Sequence, residues 1–251
     1  MRRTFWLGLA WLTVVSTLAG CTDPADPPVT DGPVDDTPAA PSAVVWGGPD
    51  APLRPGSSLG GYCTFNFLFA DASGKAYIGT AGHCTEDLGE RVELAGQGQI
   101  GKVVFDSDVT EGADGAVDFS LIQLDGDWVA KANPTMLGTD GPVDAVTRDE
   151  LAVGDQLDVH GYGMVLGDTD ATRHRSGFLT DWDDKLYRAD MPAVNGDSGA
   201  PLLHAPTGKA FGIISHYGLS AVPPTTDEGP IMPFILEELA AAGFTVSLAT
   251  A

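Results

Sequence analysis

From Val44 onward, short apolar or alternating runs recur between turn-forming residues. Tyr62-Cys63-Thr64-Phe65-Asn66-Phe67-Leu68-Phe69 leads into Asp71-Ala72-Ser73-Gly74, and Ala76-Tyr77-Ile78-Gly79 follows, which is the pattern of a hairpin. Further strands are predicted at Arg91 to Leu94, Gln99 to Phe105, Phe119 to Leu124, Gln156 to His160, Lys185 to Ala189, Ala200 to His204 and Ala210 to Ser215. Strands at spacings of roughly 8 to 15 residues, with no amphipathic helical pattern between them, predict an antiparallel barrel or sandwich rather than βαβ units. One helix is predicted, over Pro233 to Ala242: apolar residues recur at helical spacing, a proline sits in the first turn and Gly243 ends it.

The N-terminus follows a different pattern. Two arginines precede an uncharged, mostly apolar run from Thr4 to Ala19 and then small residues, the arrangement of an export signal. Leu18-Ala19-Gly20-Cys21 resembles the lipobox of bacterial lipoproteins, which implies a signal peptide over residues 1–20 and lipidation of Cys21. A simple secretion signal or an uncleaved anchor are the other readings, although the apolar run is short of the roughly 20 residues that span a bilayer. Residues 22–43 carry six prolines and five aspartates, with no basic or aromatic residue. Such a segment cannot bury enough apolar surface to offset its ordering entropy. Residues 21–43 are therefore read as a lipidated tether, and 44–251 as the folded domain.

Composition sharpens the picture in three places. The 32 glycines and 18 prolines are more than a helix-rich fold tolerates, which again favours turn-rich β structure. A net charge of −22 repels phosphate backbones, so nucleic acid is not an expected partner. The three cysteines are an odd number, which leaves at least one outside any intrachain disulfide.

Three local patterns carry candidate chemistry: Thr80-Ala81-Gly82-His83-Cys84 after an apolar strand, Asp118-Phe119-Ser120-Leu121-Ile122 at the start of another, and Asn195-Gly196-Asp197-Ser198-Gly199-Ala200-Pro201 before a third. Each alone has a plain structural explanation, a packed histidine or a tight turn. Together and in this order they resemble chymotrypsin-like serine proteases of the trypsin and streptogrisin type. Asp106, Asp108, Asp114, Asp125 and Asp127 stand near Asp118, but only Asp118 precedes a Phe-Ser-Leu-Ile run similar to the family's aspartate strand.

The resemblance covers about residues 44 to 248. It implies two six-stranded antiparallel β-barrels packed together, divided at about 135–150, with a C-terminal helix. The implied activity is hydrolysis of peptide bonds in polypeptide substrates by a serine endopeptidase, with no cofactor or metal. A serine hydroxyl is a weak nucleophile near neutral pH and needs a base within reach, and the base needs its tautomer held. His83 is the implied base, Asp118 its orienting carboxylate and Ser198 the nucleophile. The amides of Gly196 and Ser198 are the implied oxyanion donors. Ser215 matches a family serine that hydrogen-bonds the aspartate, and Cys63 with Cys84 matches the family's disulfide beside the histidine, leaving Cys21 for the lipid. The implied protein is a monomer, exported and held by its lipid on the membrane's outer face. A protease-like binding lipoprotein without activity is the alternative.

Some positions depart from the family. Val44-Val45-Trp46-Gly47-Gly48 interrupts the usual activation sequence with a tryptophan, so an internal arginine, with Arg148 a candidate, is expected to pair with Asp197 in place of a free α-amine. The residue six before Ser198, an aspartate in trypsin-like members, is Pro192, followed by Ala193. With Ser215, His216 and Tyr217 as the opposite wall, the expected preference is for a small or apolar side chain. His216 raises acidic recognition as a lesser possibility. His160 is read as structural, His174 and His204 match no motif, and Asp168-Thr169-Asp170 lacks the spacing of an EF-hand.

Overall fold

In Arg91-Val92-Glu93-Leu94 the apolar residues are buried and the charged ones face solvent, so the strand is pinned by one face. Repeated along the chain, this rule builds two curled antiparallel sheets. The computed structural model describes residues 43–110, 115–163, 173–218 and 226–251; the signal segment, Cys21, the tether up to Ser42, Asp114 and Asp168 to Asp170 lie outside the described residues.

The strands are β1 (Ser58–Leu59), β2 (Cys63–Thr64), β3 (Leu68–Asp71), β4 (Ala76–Thr80), β5 (Arg91–Leu94), β6 (Gly98–Asp106), β7 (Ser120–Leu124), β8 (Gln156–His160), β9 (His174–Trp182), β10 (Leu186–Asp190), β11 (Pro201–His204), β12 (Lys209–Ile213), β13 (His216–Gly218), β14 (Thr226–Pro230) and β15 (Val246–Leu248). The first sheet has eight strands in the order β15-β3-β4-β7-β6-β5-β1-β2, and the second has seven in the order β12-β11-β8-β9-β10-β14-β13. This is the expected all-β architecture of two antiparallel sheets, with eight and seven strands where six and six were expected. The predicted strand Tyr62 to Phe69 is broken in two. Asn66 turns its Oδ1 back to accept from the Phe67 N–H at 2.8 Å, while its own N–H goes to the Gly79 carbonyl at 2.8 Å. Gly79 has to be glycine because a Cβ there would lie 2.2 Å from Asn66 Oδ1.

The core runs through both sheets. Phe65, Phe67, Phe69, Phe105, Phe119 and Phe211 are fully buried, each worth about 2 to 3 kcal/mol relative to exposure. The terminal helix spans Met232–Ala241, one residue earlier than predicted, and buries Met232, Phe234, Ile235 and Leu239 before Gly243 takes a φ of +88°. After the helix, β15 pairs with β3, so the chain's end closes the first sheet. The Cys63–Cys84 disulfide is present, with a sequence separation of 21. By closing a loop of that length it contributes roughly 3 kcal/mol in the chain-entropy account, and it ties β2 to the turn that carries His83.

Candidate active site

His83 lies in a single 3-10 turn, Gly82–Cys84, immediately after β4, and Asp118 lies just before β7. Because β4 and β7 are hydrogen-bonded neighbours, the two residues meet at one end of the pair. Asp118 Oδ1 accepts the His83 backbone N–H at 3.0 Å, and Oδ2 is 2.9 Å from His83 Nδ1. Holding this position costs backbone strain: Asp118 has a φ of 36°, a left-handed conformation that few non-glycine residues adopt. Burial pushes the Asp118 carboxyl up, but the bonds from the His83 ring, the Ser215 hydroxyl and the His83 amide outweigh it and hold the group at about 2. The same hydrogen bond to Asp118 raises His83 above its ordinary value against the opposing effect of burial, helped by the charges of Asp118 and Asp108.

Three of the neighbouring aspartates are committed elsewhere. Asp106 is buried and accepts from Thr85 Oγ1 at 2.7 Å, Ser120 Oγ at 2.9 Å and the Asp108 amide at 2.8 Å. Asp125 pairs with Arg91, and Asp127 with Lys131.

Ser215 Oγ donates to Asp118 Oδ2 and lies 2.6 Å from His216 Nδ1. A hydroxyl has one proton, and the ionised carboxylate can only accept, so His216 must carry its proton on Nδ1 and donate it to Ser215. A chain of hydrogen bonds therefore runs from His216 through Ser215 and Asp118 to His83, and the His83 and His216 ring centres are 5.7 Å apart. His83, Asp118 and His216 also gather potential metal donors within 4.8 Å, but the carboxylate and both Nδ1 atoms are already engaged in this chain.

Ser198 reaches the same place from the second sheet. His83, Ser198, Ser215 and His216 line a cleft of about 200 Å³. No hydrogen bond joins His83 to Ser198 among the described residues. The loop before Ser198 is fixed from both sheets. Thr64 Oγ1 donates to the Gly196 carbonyl at 2.7 Å, the Thr64 N–H donates to the Ser198 carbonyl at 2.9 Å, and the Gly199 N–H donates to Ile214 O at 2.7 Å. Gly196 has a φ of +100°, and among the described residues no acceptor takes the N–H of Gly196 or of Ser198. Two donors beside the hydroxyl are what an oxyanion site requires. Sequence reasoning missed Thr64. Its neighbour Thr80, whose Oγ1 donates to the Thr64 carbonyl at 2.9 Å, was in plain view at the head of the histidine motif.

Asp197 is fully buried and pairs with Arg175 through two bonds of 2.7 Å. It also accepts from the Gly163 amide at 2.9 Å and the Val194 amide at 2.8 Å. Gly161 lets this carboxylate approach, since a Cβ there would lie 2.0 Å from Asp197 Oδ1. The expectation of an internal arginine is met by a different residue from the one named. Arg148 is bound to Glu237 and to the Asp184 carbonyl, whereas Arg175 on β9 faces the serine loop. Val45 is 80% exposed, and Gly47 packs against Ala132 instead.

The residues expected to contact substrate divide. Ser215 and His216 line the cleft, while Pro192 is exposed and Ala193 buried outside that lining. Tyr217 lies on β13, and its side chain is outside what the structure describes. His160 and His204 are buried, and His204 Nε2 lies 3.0 Å from Asp155.

No protein-family model matches the chain, and no curated protein matches it. Solved structures do resemble it. Thermobifida fusca protease A is 21% identical, with a TM-score of 0.57, over 79% of this chain and 99% of the other. A glutamic acid-specific serine protease described as using a histidine triad in substrate binding is 20% identical, with a TM-score of 0.57, over 78% and 100%. Cellulomonas bogoriensis chymotrypsin is 20% identical, with a TM-score of 0.54, over 79% and 99%. At these identities the likeness establishes the chymotrypsin-like fold.

Replacing Arg175 by methionine leaves the buried Asp197 charge unpaired and is expected to cost about 3 to 5 kcal/mol of stability. Arg148→Met, at a solvent-facing pair, is expected to cost no more than about 1 kcal/mol. Equilibrium denaturation of the two variants checks this, and equal effects would refute the assignment of Arg175 as the partner.

Proposed function

We propose that the chain is an exported serine endopeptidase in which Ser198 attacks the carbonyl of a peptide bond and forms an acyl-enzyme. The observation that carries the reading is the Asp118 carboxylate, which accepts from both His83 and Ser215 while Ser198 lines the same cleft. With Nδ1–H given to Asp118, neutral His83 presents the lone pair of Nε2 toward the cleft. It takes the Ser198 proton as Oγ bonds to the carbonyl carbon, then delivers that proton to the leaving amine. Water follows the same route in deacylation, with His83 again the base. Negative charge on the former carbonyl oxygen is met by the N–H groups of Gly196 and Ser198, each donor worth on the order of 3 kcal/mol in the transition state. The bond between His83 and Ser198 tightens when substrate fills the cleft, as is common in such sites.

The lipobox-like Leu18-Ala19-Gly20-Cys21 supports export and attachment through lipid on Cys21, with residues 22–43 as the spacer and the enzyme acting as a monomer on polypeptides outside the cytoplasm. Metabolic labelling with a fatty acid checks this: label on the wild-type chain should be lost in Cys21→Ala, and label surviving the substitution would refute it.

A fluorophosphonate probe should label the wild-type protein, and Ser198→Ala should abolish labelling. A folded wild-type protein that takes no label would favour a binding protein on a protease fold.

His83 must be neutral to act as base, and its raised pKa means that it gains the active form only as pH rises past the ordinary histidine value of about 6.5. The acid limb of kcat/KM is expected above that value. Asp118→Asn should move the limb down and lower kcat by roughly ten-thousand-fold. A limb that stays in place would argue against the pairing.

A further inference from the structure

Four aspartates are buried in the described residues: Asp106, Asp118, Asp197 and Asp227. The first three each accept several hydrogen bonds. Asp227 is 0% exposed, and neither of its oxygens has a hydrogen-bond partner among the described residues. Burial without a partner disfavours the ionised carboxylate unless something supplies the missing partner.

Its place in the sheet indicates what that partner is. Strand β14 lies between β10 and β13, with Asp227 opposite Ala189 on one side and Tyr217 on the other. Strand β10 runs directly into Pro192 and Ala193, and β13 follows directly on Ser215, whose N–H donates to the Glu228 carbonyl at 3.1 Å. The two segments expected to wall the side-chain pocket beside Ser198 thus continue from the two strands that flank Asp227, with β14 hydrogen-bonded between them.

We propose that Asp227 is the specificity-determining residue of this pocket and selects peptides with a lysine or arginine side chain on the acyl side of the cleaved bond. The inference rests on Ser198 being the nucleophile. The small or apolar preference expected from Pro192, Ala193 and the wall of Ser215, His216 and Tyr217 left out β14, the strand that carries this carboxylate.

The surroundings fit a receptor for an incoming cation. Burial raises the Asp227 carboxyl to about 8, reinforced by the negative charges of Asp197 and Asp190 and opposed by Arg175. Arg175 makes no hydrogen bond to it: both terminal nitrogens are held by Asp197, and its Nε has no hydrogen-bond partner among the described residues. Tyr187 of β10 donates its hydroxyl to Ile213 O, and Glu228 turns toward Arg188. An ammonium or guanidinium entering between the walls would pair with the carboxylate, and the proton held by Asp227 would be released to solvent. The chain's net charge of −22 also draws cationic peptides toward the cleft.

The test uses the full chain and peptide amides that differ only in the residue before the cleaved bond. Lysine and arginine should exceed phenylalanine, alanine and glutamate in kcat/KM by at least about tenfold. The lysine-to-phenylalanine ratio should climb from about pH 6 and level off above about pH 8, as free Asp227 ionises. Asp227→Asn should reduce that ratio on the order of 100-fold, a readout that cancels any loss of active protein. Should the variant not fold, benzamidine, a cationic arginine mimic, should protect wild-type Ser198 from the fluorophosphonate. A preference for apolar or acidic residues, a ratio unmoved by Asp227→Asn, or absence of benzamidine protection in a protein that does label would each overturn this inference alone. Absence of labelling would overturn the protease reading, and this inference with it.

Discussion

The candidate site is assembled from two sheets, so its geometry depends on how firmly one sheet grips the other, and much of that grip passes through Thr64. Its N–H donates to the Ser198 carbonyl, its hydroxyl donates to the Gly196 carbonyl and accepts from the Tyr162 amide, and its own carbonyl accepts from Thr80. One buried residue thereby sets the pose of the serine loop against the strand that leads to His83. Hydrophobic burial alone would hold the sheets together without defining their relative position to a fraction of an ångström; directional hydrogen bonds in a dry seam do both. The disulfide from adjacent Cys63 to Cys84 adds a covalent constraint to the same junction.

A second pattern is how the fold handles negative charge in its interior. Asp106 braces a turn, Asp118 orients a histidine and Asp197 anchors the serine loop, and each is surrounded by enough donors to remain an acceptor. The left-handed backbone at Asp118 shows that the chain bears local strain to keep one of these arrangements. Asp227 is the exception among the buried aspartates of the described residues, since neither of its oxygens has a hydrogen-bond partner there.

The sequence disclosed the fold class, the histidine and serine turns, the disulfide partners and the terminal helix because each depends on local pattern or on a short motif. Long-range partners were out of reach. Thr64 and Gly196 are 132 residues apart and Thr64 and Tyr162 are 98 apart, and neither threonine nor tyrosine at those positions breaks any local rule. Strand β9 escaped notice because His174-Arg175-Ser176-Gly177 offers almost no apolar alternation, and Arg175 could not be chosen over Arg148 without it. Strand β14, Thr-Asp-Glu-Gly-Pro, has the composition of a turn. Neighbours on both sides override that propensity, and the residue of greatest interest there was hidden by looking like surface.

The pairing of Asp197 with Arg175 also bears on how the site is controlled. Because the cation that organises the serine loop is supplied from within the second sheet, no newly made amino group has to find its way into the interior. In the proposed protease the serine loop would then be set by folding itself, and control would rest on what can reach the cleft.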